Sequence, residues 1–245
     1  MRILVSIVFY TLIFASPAKA DEVSIPLVAC QMDVQGSPLP KLPDGKKVVQ
    51  MDKKDADRLA YYETKLGDHI FGVYAPRGWH CYGGDGSGGY GLTVSPEVIT
   101  AENHLSSEWK GLTQPIIEVG GLYYDSSSRV DICRIFVRAF PKEKSCADYL
   151  IKDWDRKAND FPSGPYPKDH ILHIDDTFVE YETPAHEDGF GTDGGEAGIK
   201  KTDLPIHGFF IQRKKSDALG YGVVRLPADM SDLHSVIIKQ YEAEQ

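Results

Sequence analysis

Residues 52–67, DKKDADRLAYYETKLG, decide how the chain is read as a fold. Asp52 has the short acceptor side chain of a helix N-cap, with Asp55 three residues on. Ala56, Leu59, Ala60 and Leu66 recur at helical spacing, and Gly67 offers a C-terminal stop. The pattern predicts a helix over residues 52–66. Downstream, residues 70–74, 79–82 and 90–94 are short β-rich runs separated by Ala75-Pro76-Arg77-Gly78 and by a glycine-rich stretch, which predicts a hairpin or meander with a long flexible tip. Residues 115–124 predict another strand, with Gly120-Gly121 marking a bulge or a close backbone approach.

Residues 128–140 are rich in β-formers. Yet Asp131, Arg134 and Arg138 fall on one helical face, and Val130, Cys133, Val137 and Phe140 fall on another. They therefore predict a helix, with Ser128 as N-cap and Pro141 as the break. A second helix follows over residues 143–157, where Cys146, Leu150, Trp154 and Ala158 form a stripe. Residues 171–174, 177–183, 206–213 and 220–226 predict strands, and a closing helix begins near Asp229 and runs through Met230, Leu233, Ile237 and Tyr241. The order lacks a regular βαβ beat. The expected class is α+β: a mixed or mainly antiparallel sheet packed against about four helices, in a single domain.

The chain of 245 residues opens with Arg2, an apolar run over residues 3–15, and Ala18-Lys19-Ala20, small at both positions a signal peptidase reads. Residues 1–20 are expected to be a secretory signal peptide and residues 21–245 the exported domain, periplasmic or extracellular. The run is shorter than the ~20 apolar residues of a spanning helix, and no later stretch reaches that length, so no transmembrane segment is expected in the mature chain. Leu27-Val28-Ala29-Cys30 resembles a lipobox, but Pro17, Lys19, Asp21 and Glu22 separate it from the apolar run. Processing before Asp21 is the expectation. Residues 21–47, with Pro26, Gly36, Pro38, Pro40, Pro43 and Gly45, are expected as an irregular wrap with one edge strand over residues 25–30. The formal charge is −9, and loss of Arg2 and Lys19 with the leader deepens it. Such a surface argues against nucleic acid or anionic lipid as partner.

Cys30, Cys81, Cys133 and Cys146 make an even count in an exported chain, which predicts two disulfides out of three possible pairings. Helices folding back at Pro141 pair Cys133 with Cys146, and Cys30 with Cys81 then pins the N-terminal wrap to the first sheet. No Cys/His cluster has zinc-ligand spacing, and neither metal nor cofactor is expected.

No stretch carries a complete catalytic motif. Residues 83–91, GGDGSGGYG, lack the Lys-Ser/Thr ending of a phosphate loop, and Ser87 has glycines adjacent instead of two residues away as in a nucleophile elbow. They resemble the Gly-Asp-Ser-Gly-Gly of chymotrypsin-like proteases with one glycine inserted, but His69 and His80 precede Ser87 too closely for that arrangement. They read as a mobile hairpin tip. His170 and His173 point to opposite faces of a regular strand and make no metal site there. Glu180 and Glu182 share a strand face at a separation a glycosidase pair could use, and read more simply as a solvated face.

Two segments suggest a site. Residues 183–195 place His186, Glu187 and Asp188 beside Phe190 and several glycines in a long loop, and residues 76–82 gather Arg77, Trp79, His80, Cys81 and Tyr82. The expected ligand-facing surface is Arg77, Trp79, Asp85, His186 and Asp188, suited to an anionic, glycan or protein ligand. The expected function is that of a non-catalytic binding or envelope-interaction protein, since no nucleophile, metal cluster or phosphate loop is legible. The alternative is a hydrolase of cell-wall, glycan or peptide substrates, with His186, Glu187 or Asp188 as base and Ser87 or a polarised water attacking. Loops 83–91 and 184–195 separate the two readings. Convergence with His186 in reach of Ser87 favours catalysis, and divergence favours binding.

Overall fold

The computed structural model describes residues 22–100, 110–123, 129–193, 198–212 and 218–244; the expected signal peptide and Ser128 lie outside them. The described chain is 43% strand and 23% helical. This corrects the expected class: the described residues form two mixed sheets with four short α-helices, not one sheet packed against four helices.

In chain order the strands are β1 (Glu22–Ala29), β2 (Gln31–Val34), β3 (Ser37–Pro38), β4 (Gly45–Gln50), β5 (Leu59–Leu66), β6 (His69–Pro76), β7 (His80–Gly86), β8 (Gly89–Ser95), β9 (Ile116–Tyr123), β10 (His170–Ile174), β11 (Phe178–Thr183), β12 (Ile206–Gln212) and β13 (Ala218–Arg225). The helices are α1 (Lys53–Ala56), α2 (Arg129–Ala139), α3 (Ser145–Asp153) and α4 (His234–Glu242). The small sheet has the order β4-β1-β5-β6 and the large one β10-β11-β12-β13-β9-β8-β7-β2-β3. Each is antiparallel apart from one parallel pairing, β1 with β5 and β2 with β7.

The main correction falls on residues 52–67, where helix is confined to α1 and β5 takes over at Leu59. Leu59, Ala60, Tyr61 and Tyr62 are consecutive and all buried. A strand covered on both faces has no polar alternation to mark its period, so its apolar run looks like a buried helix segment. The two tyrosines suit a strand, and an unbroken ladder with β6, from Leu59 opposite Pro76 to Leu66 opposite His69, holds it there. The N-terminal stretch is corrected too: β1 is an interior strand, not an edge inside an irregular wrap. It pairs with β4 over residues 22–27 and with β5 over residues 27–29, so Pro26 lies where β1 has one neighbour only.

The chain crosses from the small to the large sheet at Cys30, and the disulfide to Cys81 ties that crossing to β7, with Cα atoms 5.4 Å apart. Cys133–Cys146 joins α2 to α3 at 5.7 Å, as two helices folding back at Pro141 require. Both pairings are those predicted. No described helix is long and apolar enough to cross a membrane.

One face of the large sheet presents Leu92, Val94, Ile117, Val119, Phe178, Phe209 and Val224 to a core shared with Tyr62 and Val73 of the small sheet and Ile237 and Ile238 of α4. On its other face, α2 covers the β11–β13 half through Ile132, Ala139 and Phe140, packed on Val179, Tyr181, Phe210 and Leu219. The β7–β8 half presents glycines there. Residues 83–91 are paired strand up to the turn at Ser87-Gly88, with Gly84 opposite Gly91 and Gly86 opposite Gly89, which corrects the expected flexible tip.

Candidate functional site

The register of β7, β8 and β9 sets up a grid on the same face, beside the half that α2 covers. Tyr82, Thr93 and Glu118 form one row; Gly84, Gly91 and Gly120 the next; Gly86, Gly89 and Leu122 a third. Asp33 on β2 extends the glycine row on one side and Tyr221 on β13 extends it on the other. Above this floor lies a cavity of about 470 Å³. A second, of about 410 Å³, continues over β13 and β12 to Arg134, Phe190 and Asp193. The two share Leu112, Glu118, Leu122 and Tyr221 and form one groove, with each part in the size range of small-ligand sites.

Two of the floor glycines, Gly84 and Gly86, differ from the others in this sheet. Gly208, Gly222 and Gly121 each lie directly opposite an aromatic residue, Tyr181, Phe209 and Tyr90 respectively, whose ring occupies the space a Cβ would take. Those glycines are packing requirements. At Gly84 the nearest described atom to an added Cβ is Tyr82 Cε1 at 3.8 Å, and at Gly86 no described atom lies within 4 Å. Neither has a positive φ. Among the described residues, packing and backbone conformation both leave room for a side chain there.

The first cavity is acidic. Its described lining has the carboxylates of Asp33 and Glu118 and no Lys, Arg or His. Asp33 is 8% exposed and accepts the Gly36 N–H at 2.6 Å. Burial, with Asp33 nearby, raises the Tyr82 hydroxyl. Glu118 accepts from the Tyr221 hydroxyl at 2.7 Å, and burial together with that carboxylate pushes Tyr221 well above the usual phenol range. At the far end Arg134 lies 3.3 Å from Asp131 and 3.4 Å from Asp193, and the Tyr166 hydroxyl donates to Asp193 at 2.7 Å. Leu112 and Ile199, which wall the groove, form a parallel bridge. The fully buried Arg225 holds that wall, donating to the carbonyls of Leu112 at 3.0 Å, Lys200 at 2.6 Å and Gln114 at 2.9 Å. Burial pushes its pKa down to about 10.

The residues the sequence pointed to are dispersed. Arg77 donates to the carbonyls of Leu59 at 2.9 Å and Ala56 at 2.6 Å, fastening the turn from α1 into β5. Trp79 packs against the main core. Asp85 borders the groove at its hairpin end, but alternation puts its carboxylate on the core-facing side with Tyr90, where it accepts from the Tyr123 hydroxyl at 2.8 Å. His186 is exposed, 3.0 Å from Asp203, and Asp188 pairs with Lys201 at 2.6 Å; Glu187 between them is half-buried. Glu182 near the end of β11 aligns through successive strands with Cys81, whereas Phe178 at its start aligns with Asp85. The loop after β11 and the Ser87 turn therefore leave opposite ends of the sheet and stand five strands apart, roughly 24 Å. Ser87 and His186 are not brought together. What the two loops share is the groove: residues 83–91 line one end, and Phe190, Gly191 and Asp193 the other.

The histidine pair of β10 is a further correction. A bulge between Ile171 and His173 places His170 opposite Glu182 and His173 opposite Glu180, so both rings share one face. Glu182 lies 3.3 Å from His170 and 3.5 Å from His207. Among the described residues no group of three is placed to hold a metal ion. Glu180 is half-buried, and burial, with Glu242 nearby, raises its carboxyl. The backbones of Asp33 and Glu118 stand three strands apart, roughly 15 Å.

The sequence reading passed over Asp33, Glu118 and Tyr221. Their signal was available in glycines at every second residue, Gly84, Gly86, then Gly89 and Gly91, which on paired strands strip a single face. Comparison with family models, curated proteins and solved structures yields no match. Fold and site together define a two-sheet, disulfide-bonded β protein with a glycine-floored acidic groove.

Proposed function

We propose that this is an exported, non-catalytic binding protein, periplasmic or extracellular, that takes its ligand in the groove over β7, β8 and β9. The observation that carries the reading is the pair Gly84 and Gly86, strand glycines with ordinary backbone angles and open space where a side chain would fit. The two disulfides are compatible with an oxidising compartment. Arg77 and Trp79, engaged in the chain's own packing, leave recognition to Tyr82, Thr93, Glu118 and Tyr221. A thermal-shift screen of the mature, oxidised protein against a ligand library tests this, because a ligand that binds only the native state raises the melting temperature. A hit is expected to stabilise the wild-type protein and to lose its effect in Gly84→Val, whose side chain fills the floor. Equal stabilisation of the variant by every hit would place the site elsewhere.

A further inference from the structure

The charge of the groove also indicates what it takes, on the reading that it is the binding site. We propose that the occupant is a linear chain carrying primary ammonium groups. The glycine row ends at the carboxylate of Asp33, Glu118 stands where the two cavities meet, and no described cation lines the first of them. A cleft lined by one sign of charge within low-dielectric walls concentrates the field and the counter-charge, so a phosphate or carboxylate ligand meets repulsion here. Tyr82 and Tyr221 add phenol rings, whose faces attract ammonium groups, and an ammonium offers three donors to carboxylate acceptors. The far cavity keeps the same sign: Asp131 and Asp193 outnumber Arg134, which they flank. The roughly 15 Å between Asp33 and Glu118, from inter-strand spacing, matches the reach of four to five extended residues. That favours an elongated ligand with separated amines over a compact one.

The test is isothermal titration of the mature, oxidised protein at low salt. The probes are spermine, tetralysine amide, the same peptide fully acetylated on its amines, and chitotetraose. Both amine probes are expected to bind, the tighter one naming the source. Affinity is expected to fall about tenfold or more in Glu118→Gln, to fall also in Asp33→Asn, which keeps an acceptor for Gly36, and to vanish in Gly84→Val. If the acetylated peptide or chitotetraose binds as tightly as the amines and Gly84→Val abolishes it, the charge assignment is overturned and the groove remains the site. If the amines bind Glu118→Gln and Gly84→Val as well as wild type, the interaction is general attraction to an acidic surface and both readings fall. No binding of either amine at millimolar concentration overturns the charge assignment as well.

Discussion

The two halves of the large sheet use glycine in opposite ways. Across β11, β12 and β13, Gly208 and Gly222 sit beneath the rings of Tyr181 and Phe209, their direct cross-strand partners. Across β7 and β8, Gly84 and Gly86 face other glycines, and no described residue crowds the space above them. Where a ring lies flat on the neighbouring strand, glycine is a packing device; where no ring arrives, it is an opening. The residue is the same in both halves, and its cross-strand partner decides which role it has.

The largest effect expected in this comparison comes from the crosslinks, one in each half. Replacing Cys30 and Cys81 by Ala releases the bare half from the small sheet across a separation of 51 residues, a loss of about 4 kcal/mol in the loop-entropy model. Replacing Cys133 and Cys146, 13 residues apart and next to the covered half, loses about 3 kcal/mol on the same model. Urea unfolding of the two double variants measures both, and a larger loss from the second would reverse the ranking.

Acid should act on the covered half. His207 on β12 and His234 at the start of α4 stack with centroids 4.0 Å apart, and His234 Nε2 is buried without a hydrogen-bond partner among the described residues. Burial, then His207, pushes the His234 pKa down to about 4, and burial lowers His207 against the opposing pull of Glu182. The folded protein thus keeps His234 neutral while the unfolded chain takes up a proton below its ordinary pKa of about 6.5. This contribution is whole above that pH and is lost as pH falls toward 4, by about 1.4 kcal/mol per unit and up to about 3 kcal/mol in all. Urea midpoints from pH 7 to 4 should fall more steeply in wild type than in His234→Leu; parallel slopes would refute the assignment.

A smaller loss separates the two kinds of glycine directly. Gly222→Ala or Gly208→Ala forces a ring off its position and should cost about 2 kcal/mol by overpacking. At the other extreme, Gly84→Val and Gly86→Val should change stability by less than about 0.5 kcal/mol, because a β-branched side chain suits a strand and meets open space. Thermal melts of the four variants side by side decide the matter. Comparable losses in both sets would mean that the floor is packed by something and is not open.

Legibility from sequence followed one physical line. The stripe through Cys133, Val137 and Phe140 identified α2 although its residues favour strands, since a helix with one buried face shows its period. The Cys133–Cys146 pairing came with it. The strands after residue 115 were legible within a few residues because they are short β-branched and aromatic runs bounded by turn residues, and Gly120 was correctly marked as a place of close backbone approach, with Tyr221 above it. Residues 59–62 misled because both faces of β5 are buried, and residues 83–91 misled because glycines were read as a flexible tip instead of by their alternation.

By itself the sequence determined the disulfide pairing, the two crosslinked helices, the later strands and the acidic balance of the chain. All of these rest on local composition, on a helix's period or on spacing along the chain, which the sequence records locally. Only the tertiary structure decided that β5 is a strand, that the molecule has two sheets, that Arg77 and Trp79 serve packing, and that Asp33, Glu118 and Tyr221 share a groove with bare glycines. Those facts depend on which strand lies beside which. A cross-strand neighbour far away in the chain leaves no mark on the residues it covers or exposes.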